Sequence, residues 1–465
     1  MSEQLPPGVD IGRVLYLALD AGEEVLAAGA GSADAAATMQ AVALAAGLTA
    51  IDVDVNFTSL SVTWTADRGS EPVTRRRVVL ARSLDYTRLI RVHRLLGRLV
   101  AGGMSAGTAA AGLATIRDQD YPYGRRTAEA GLAGLAGAVV LLLGGGLLEV
   151  LLAALVTYAV LEVGRGTSAH GLPPFFGNAA SAATVTAVAT AAFALGLPVR
   201  PSLVVAGGIV ALLPSVAMLS AVQDALAGYV VTAAGRVVEV VVLLAGIATG
   251  VGLALAVAVP LGVPLREIST EPAAAPLWMR LLGGALASGL FLLSVYAPAR
   301  LLLPAALIGT TAGAVSAGAD ALGVAPLYGT AAAAVTTGTV AVVVAGRYDV
   351  PALVPAVAGF MPLLPGLALY RGMFRITQGD TAVGLATVLG AIGIVTALAS
   401  GVVLGDLAAW RLRRLRRLWD GATQQGPRLD GGRGHPRGRS LPSRFVGPSV
   451  ALARLTGARR RGERV

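Results

Sequence analysis

Residues 212–228 read LLPSVAMLSAVQDALAG, and residues 363–379 read LLPGLALYRGMFRITQG. In both, a leucine pair and a proline interrupt an apolar run, and a glycine closes the segment. The spacing of 151 residues holds outside this window, pairing Gly208 with Gly359, Val199 with Val350 and Gly250 with Gly401. A shift of one residue then aligns Pro174-Phe175-Phe176-Gly177 with Pro326-Leu327-Tyr328-Gly329. Ala/Gly/Leu-rich helices also match by composition alone, but a near-constant offset over several helices favours a duplication.

Around the two copies lie long apolar blocks. The 465-residue chain is 55% hydrophobic and 14% charged, with a mean hydropathy of +0.71. Soluble domains carry about 25% charge, so most of this chain avoids water. Blocks of about 20 residues select membrane-spanning helices over a barrel. Ten spans are expected, near residues 128–145, 147–163, 175–195, 201–220, 228–258, 278–297, 301–319, 325–345, 350–370 and 381–409. The first two are parted only by Gly144-Gly145-Gly146, which also permits one bent segment. The expectation is a membrane all-α fold: a five-helix repeat at 126–262, a linker at 263–276 and a second five-helix repeat at 277–410. Five is odd, so the second half is expected upside down, the inverted 5+5 architecture of alternating-access transporters.

Residues 1–125 predict a small α+β domain. Helices are expected over 10–30 and 32–47, broken at Gly29-Ala30-Gly31, with Ser32 placed to cap the second. The period then changes to two. Ile51, Val53, Val55 and Phe57 alternate with polar residues, and after Thr58-Ser59 so do Leu60, Val62 and Trp64, giving a hairpin with one buried face. A third strand, Pro72 to Leu80, follows the Asp67-Arg68-Gly69 turn, and helices over 84–101 and 105–120 close the domain. Met1 to Asp10 has no basic n-region, so no signal peptide is expected and the domain should stay in the cytoplasm. After Trp410 comes Arg-Leu-Arg-Arg-Leu-Arg-Arg, opening a basic tail at 411–465 that is expected to be disordered from about 420. Arginine at both ends places both termini in the cytoplasm and accounts for much of the net charge of +10 without a nucleic-acid partner. Arg371 and Arg375 then fall on the outer side.

Composition also excludes chemistry. There is no cysteine and only His93, His170 and His435, so neither disulfides nor a thiolate, histidine-metal or haem centre is expected, and no cofactor is assigned. No G-x-x-x-x-G-K-[ST] run supports an ATP-driven pump.

In order, these features are an early glycine-rich helix pair, strands ending near Trp64, Asp85 opening a helix and a Gly-Met-Ser-Ala helix start. The segment Leu213-Pro214 through Asp224, Gly228 and Arg236 comes next, within five-plus-five helices carrying Leu-Pro-Gly-like breaks. The order, over about residues 10–409, resembles the threonine/serine exporter family. Asp34-Ala35-Ala36 and Ser215 depart from that family's pattern, Ser215 standing where glycine is usual. The resemblance implies export of small hydroxy amino acids, driven by an ion gradient with the proton as the expected coupling ion.

Several constellations carry competing readings. Gly103-Met104-Ser105-Ala106-Gly107 matches the G-x-S-x-G nucleophile pattern, but between two helices a glycine stop and serine cap is favoured. Asp52 and Asp54 share a strand face and read as its wet side before they read as an ion site. Arg88, Arg91, Arg94 and Arg98 form a helical stripe suited to solvent or to anionic lipid. Within the apolar blocks, Arg236 and Glu239 would share a helix face and could pair. Unpaired, each would cost about 2.5–3.5 kcal/mol at the bilayer centre. Structural pairing and a transport role both remain open for them. Asn178 is polar at the start of a span.

The leading expectation is a secondary transporter exporting small amino acids across a bacterial inner membrane. The alternatives are a membrane-embedded enzyme on a lipid-linked substrate and a scaffold or sensor. The expected substrate path comprises Asn178, Pro214, Ser215, Asp224, Arg236, Glu239, Pro365 and Gly366, centred where the two proline-broken helices meet.

Overall fold

The computed structural model describes residues 10–66, 70–79, 84–258 and 275–423, with backbone alone beyond 405. The Asp67-Arg68-Gly69 turn, most of the expected linker and the tail from 424 lie outside the described residues.

The N-terminal unit opens with α1 (Ile11–Ala27), α2 (Ser32–Ala45), β1 (Ile51–Val55), β2 (Ser59–Trp64) and β3 (Val73–Val78). It closes with α3 (Tyr86–Val100) and α4 (Ala106–Arg117). The antiparallel sheet runs β1-β2-β3, with Val53 opposite Val62 and Ser61 opposite Arg76. Alternation puts Val55, Leu60, Val62 and Trp64 in a core with α1 to α4, and leaves Asp52 and Asp54 exposed. Arg77 reaches from the sheet edge to Asp20 and Glu23 of α1, and Arg117 ties α4 to Glu24 at 2.9 Å. Ser105 is a cap: its hydroxyl accepts the Thr108 amide at 3.2 Å. Ser32 is not the cap expected of it. Gly31 takes that position, and Ser32, the first helical residue, turns its polar atoms toward the membrane half.

The membrane half holds α5 (Arg125–Leu142), α6 (Leu147–Ala169), α7 (Pro174–Ala194), α8 (Pro201–Val210), α9 (Ser215–Leu226) and α10 (Val230–Ala258). It continues with α11 (Leu277–Ser294), α12 (Leu302–Ala321) after a short 3-10 turn from Ala299, and α13 (Pro326–Tyr348). Last come α14 (Leu353–Phe360), α15 (Gly366–Thr377) and α16 (Thr381–Thr423). Gly144, at φ +83°, separates α5 from α6, so the glycine triplet ends one helix and starts another. The last helix runs through the arginine stretch to Thr423 and overruns the expected tail boundary.

Among the described residues, seven helices are long and apolar enough to cross a membrane, or nine if each bent pair counts as one span. The bent pairs are α8 with α9, at 61°, and α14 with α15, at 50°. The expected count was ten. The shortfall is α5, whose first five residues include Arg125, Arg126 and Glu129, a polar load that takes it out of the count.

Helix starts recur: 125 and 277, 147 and 299, 174 and 326, 201 and 353, 215 and 366, 230 and 381. Packing recurs with them. A Cβ on Gly208 would strike Val185 and Val156, and one on Gly359 would strike their counterparts Thr337 and Ile308. Gly250 abuts the backbone of α7 as Gly401 abuts that of α13. Such small residues let helix backbones approach closely where lipid supplies no hydrophobic drive. Gly131 of α5 meets Leu290 and Ser294 of α11, while Gly283 of α11 meets Leu142 of α5. These contacts are reciprocal, and they make α5 and α11 antiparallel.

Candidate functional site

Each bent pair breaks at proline. Pro214 (φ −76°, ψ 55°) and Pro365 (φ −81°, ψ 46°) adopt nearly the same backbone, close to an inverse γ-turn. The turn bonds follow: the Ser215 amide donates to Leu213 O at 2.8 Å and the Gly366 amide to Leu364 O at 2.9 Å. The carbonyls just before each proline are thereby satisfied. The amides of Val216 and Ala217, and of Leu367 and Ala368, instead open α9 and α15 with no acceptor one turn back.

The two breaks come together. A Cβ on Gly366 would lie 3.2 Å from Val210 and 3.6 Å from Leu213 of the first broken helix. Beside them is a narrow recess lined by Ser215, Leu219, Val357, Phe360, Met361, Leu364, Val395 and Leu398. Ser215 supplies its one polar side chain, and the recess as it stands has room for about one water molecule.

Asp224 and Arg236 lie elsewhere. Asp224 is nine residues beyond Ser215 on α9, about 14 Å at helical rise. Its carboxylate is 2.9 Å from the Arg236 guanidinium, and neither side chain is more than 1% exposed. Arg236 thus finds its acid on the preceding helix, while Glu239, the partner expected from spacing, is only half-buried. The Asp224 carboxylate also accepts the Ser32 amide at 2.6 Å and the Ser32 hydroxyl at 3.2 Å. Ser220 donates to Gly29 O at 2.8 Å and Arg236 to Ala30 O at 3.3 Å. A Cβ on Gly29, at φ +90°, would strike Val216. The turn between α1 and α2 therefore lies along Val216, Ser220 and Asp224, one face of α9, and covers the start of α10.

The N-terminal domain grips the second half too. The Tyr86 amide donates to Val295 O at 3.0 Å and the Thr87 hydroxyl to Tyr296 O at 2.6 Å. Arg94 donates to Tyr348 O at 2.9 Å and pairs with Asp349 at 3.3 Å. The stripe read as suited to solvent or lipid is thus partly a docking surface. Tyr296 and Asp349 are the only non-glycine residues with positive φ among the described residues. Burial lowers the pKa of His93, on the same helix, against an opposing pull from Asp349.

Asn178, with its amide 3.3 Å from Leu243 O, clamps α7 to α10 away from the recess. Of the expected path, then, Pro214, Ser215, Pro365 and Gly366 converge, Asp224 and Arg236 form a second cluster, Glu239 is half-buried three residues along α10 from Arg236, and Asn178 lies apart. The sequence reading missed Leu219, Val357, Phe360, Met361, Val395 and Leu398, because apolar residues in an apolar chain carry no signal. It also missed the Gly29–Ser32 partners of Asp224. The Gly-Ala-Gly-Ser stretch showed a break there, but not what the break touches.

Comparison with known proteins adds independent findings. Residues 16–258 match the family described as "Putative threonine/serine exporter", and residues 281–408 that described as "Threonine/Serine exporter, ThrE". The chain is 36% identical over 409 residues to a "Probable threonine/serine exporter" of Mycobacterium tuberculosis, covering 86% of this chain and 77% of that protein. It is 31% identical over 419 residues to the "Threonine/serine exporter" of Corynebacterium glutamicum, covering 86% of this chain and 83% of that one. No solved structure matches.

Proposed function

Because the chain belongs to the threonine/serine exporter family, a family of transporters and not of enzymes, we propose that it exports threonine or serine across the bacterial inner membrane by alternating access, with a proton gradient as the driving force. The observation that carries this reading is the meeting of two proline breaks, one from each half, at a single recess. The open amides at the starts of α9 and α15 suit a substrate carboxylate, and the Ser215 hydroxyl suits a small polar side chain.

Inversion of the two halves is part of the reading. Antiparallel, reciprocal packing of the counterparts α5 and α11 supports it. So does the docked domain, which touches the α9–α10 region and the turns at 295–297 and 348–349. The start of α5, where Tyr123 donates to Leu293 O and Ala297 O, shares that face with the α9–α10 turn only if α8 and α9 together cross as one broken span. Folding back as a re-entrant loop would put the α9–α10 turn on the opposite face. The first half then makes five crossings with α5 included, and if the like-built pair α14–α15 crosses in the same way the second half does too, with both termini on the domain's side. Arg125, Arg126, Arg165, Arg300, Arg347 and the stretch from Arg411 to Arg417 fall there, against Arg200, Arg280, Arg371 and Arg375 opposite. That bias supports a cytoplasmic domain.

Threonine counterflow in proteoliposomes tests the reading. The parent should exchange threonine and serine, and Ser215→Leu or Gly366→Leu should abolish exchange while inserting normally. Normal exchange in both leucine variants would mean the breaks are only kinks.

A further inference from the structure

The side of α9 away from the recess is not lipid-facing but covered by the N-terminal domain. Ser215 and Leu219 line the recess, whereas Val216, Ser220 and Asp224, on the adjoining face, carry the turn at 28–32. This helix is the wall between the recess and the domain. The recess is too tight for an amino acid, so a wall must move to admit one, and α9 cannot swing toward the domain while the turn is seated.

The turn is built to separate. Ala28, Gly29, Ala30 and Gly31 carry no large side chain of their own, and besides packing of Ala28 and Gly29 on α9 the turn is held by hydrogen bonds centred on the Asp224–Arg236 pair.

The two faces of the membrane part differ in the same sense. On the far face, Arg200 bonds Glu149 at 2.8 Å and Gly144 O at 2.7 Å, tying the α5–α6 turn to the α7–α8 turn. Their counterparts in the second half lie on the domain's face. There the positions 152 residues on are Leu301 and Ala352, which cannot form that clamp. Helix α3 spans the gap instead, with Tyr86 and Thr87 on one turn and Arg94 on the other. Where the first half uses Gly144 and Gly196 in the left-handed conformation, the second half uses Tyr296 and Asp349, both bound to α3.

We infer that the N-terminal domain is the gate on its own face of the transporter. Seated, it holds α9 against the recess and straps the turns at 295–297 and 348–349; lifted, it opens the recess to that side. This rests on the transport reading above. Asp224, Arg236 and Ser32 are positioning residues that latch the gate and need not touch the solute.

A disulfide tests it, in a chain with no cysteine of its own. A Cβ on Gly235 would lie 3.6 Å from Phe57 Cβ, within disulfide range. Oxidised Phe57→Cys/Gly235→Cys should lose at least about tenfold in threonine counterflow, and reductant should restore it, which also shows that the variant folds. In a separate variant, Thr232→Cys, the new thiol sits beneath the domain near Val55 O. Adding Ser32→Ala there should speed labelling by a soluble maleimide about tenfold, the equivalent of about 1.4 kcal/mol. Full cross-linking with unchanged counterflow would overturn the gate and leave the transport reading standing, as would labelling indifferent to Ser32→Ala. Counterflow absent from parent and reduced variant alike would overturn the transport reading, and the gate with it.

Discussion

Replacing Asp224 with alanine strips Arg236 of a carboxylate 2.9 Å away, in a place where both side chains are at most 1% exposed. At that distance two unit charges attract by roughly 6 kcal/mol at an effective dielectric of about 20. In the intact pair most of this is offset by desolvation, but the offset remains when one partner is removed, because the guanidinium stays buried. The expected loss is about 3–5 kcal/mol. The Ser32 amide and hydroxyl lose their acceptor in the same step. Arg236→Met should cost less, about 2–3 kcal/mol, since Asp224 keeps both Ser32 bonds. The double variant buries no unpaired charge and should be more stable than the sum of the single effects by roughly 2 kcal/mol or more. The assay is denaturant-induced release of the domain from detergent-solubilised protein, read by maleimide labelling of a cysteine placed at Thr232, which is buried beneath the docked domain. All variants should insert normally. A coupling below about 0.5 kcal/mol, with single effects that simply add, would refute the claim that the ion pair holds the domain.

Other outcomes are open to direct measurement. Gly250→Ala would bring a Cβ within 2.0 Å of Ala179 O and should destabilise the membrane part by about 1–3 kcal/mol, read as a lower thermal midpoint; an unchanged midpoint would mean that α7 and α10 do not pack this closely. Because burial lowers the folded pKa of His93, folding stability should fall as pH drops from about 6.5 through that lowered value, since the unfolded chain takes up the proton first. His93→Gln should flatten this pH dependence, and an unaltered slope would assign it to another group. Reporter fusions at Gly69 and Gly432 should both score cytoplasmic; opposite locations would remove the even number of crossings.

Much of the architecture is already legible in local residue order. Blocks of apolar residues must become helices in a bilayer, because no water is present there to satisfy an exposed backbone. Period-two alternation from Ile51 to Trp64 gives a strand pair, and a proline beyond the first turn of an apolar helix kinks or breaks it. The repeated Leu-Leu-Pro segments therefore pointed to paired helix breaks, which recur at Pro214 and Pro365 with nearly the same backbone. What depends on long-range approach could not be read in this way. Spacing along one helix offered Glu239 to Arg236, but the buried carboxylate comes from Asp224 on another helix, brought there by a tight turn at Gly228. Ser32 looked like a cap because capping is local, yet its polar atoms meet a residue 192 positions away. Whether Arg94 faced water, lipid or protein was undetermined until α3 docked on the turn at 348–349. Sequence fixes which groups a segment carries and how they repeat along it; only packing decides which distant segment faces them, because in an apolar chain many pairings bury the same surface and few satisfy every buried charge and amide.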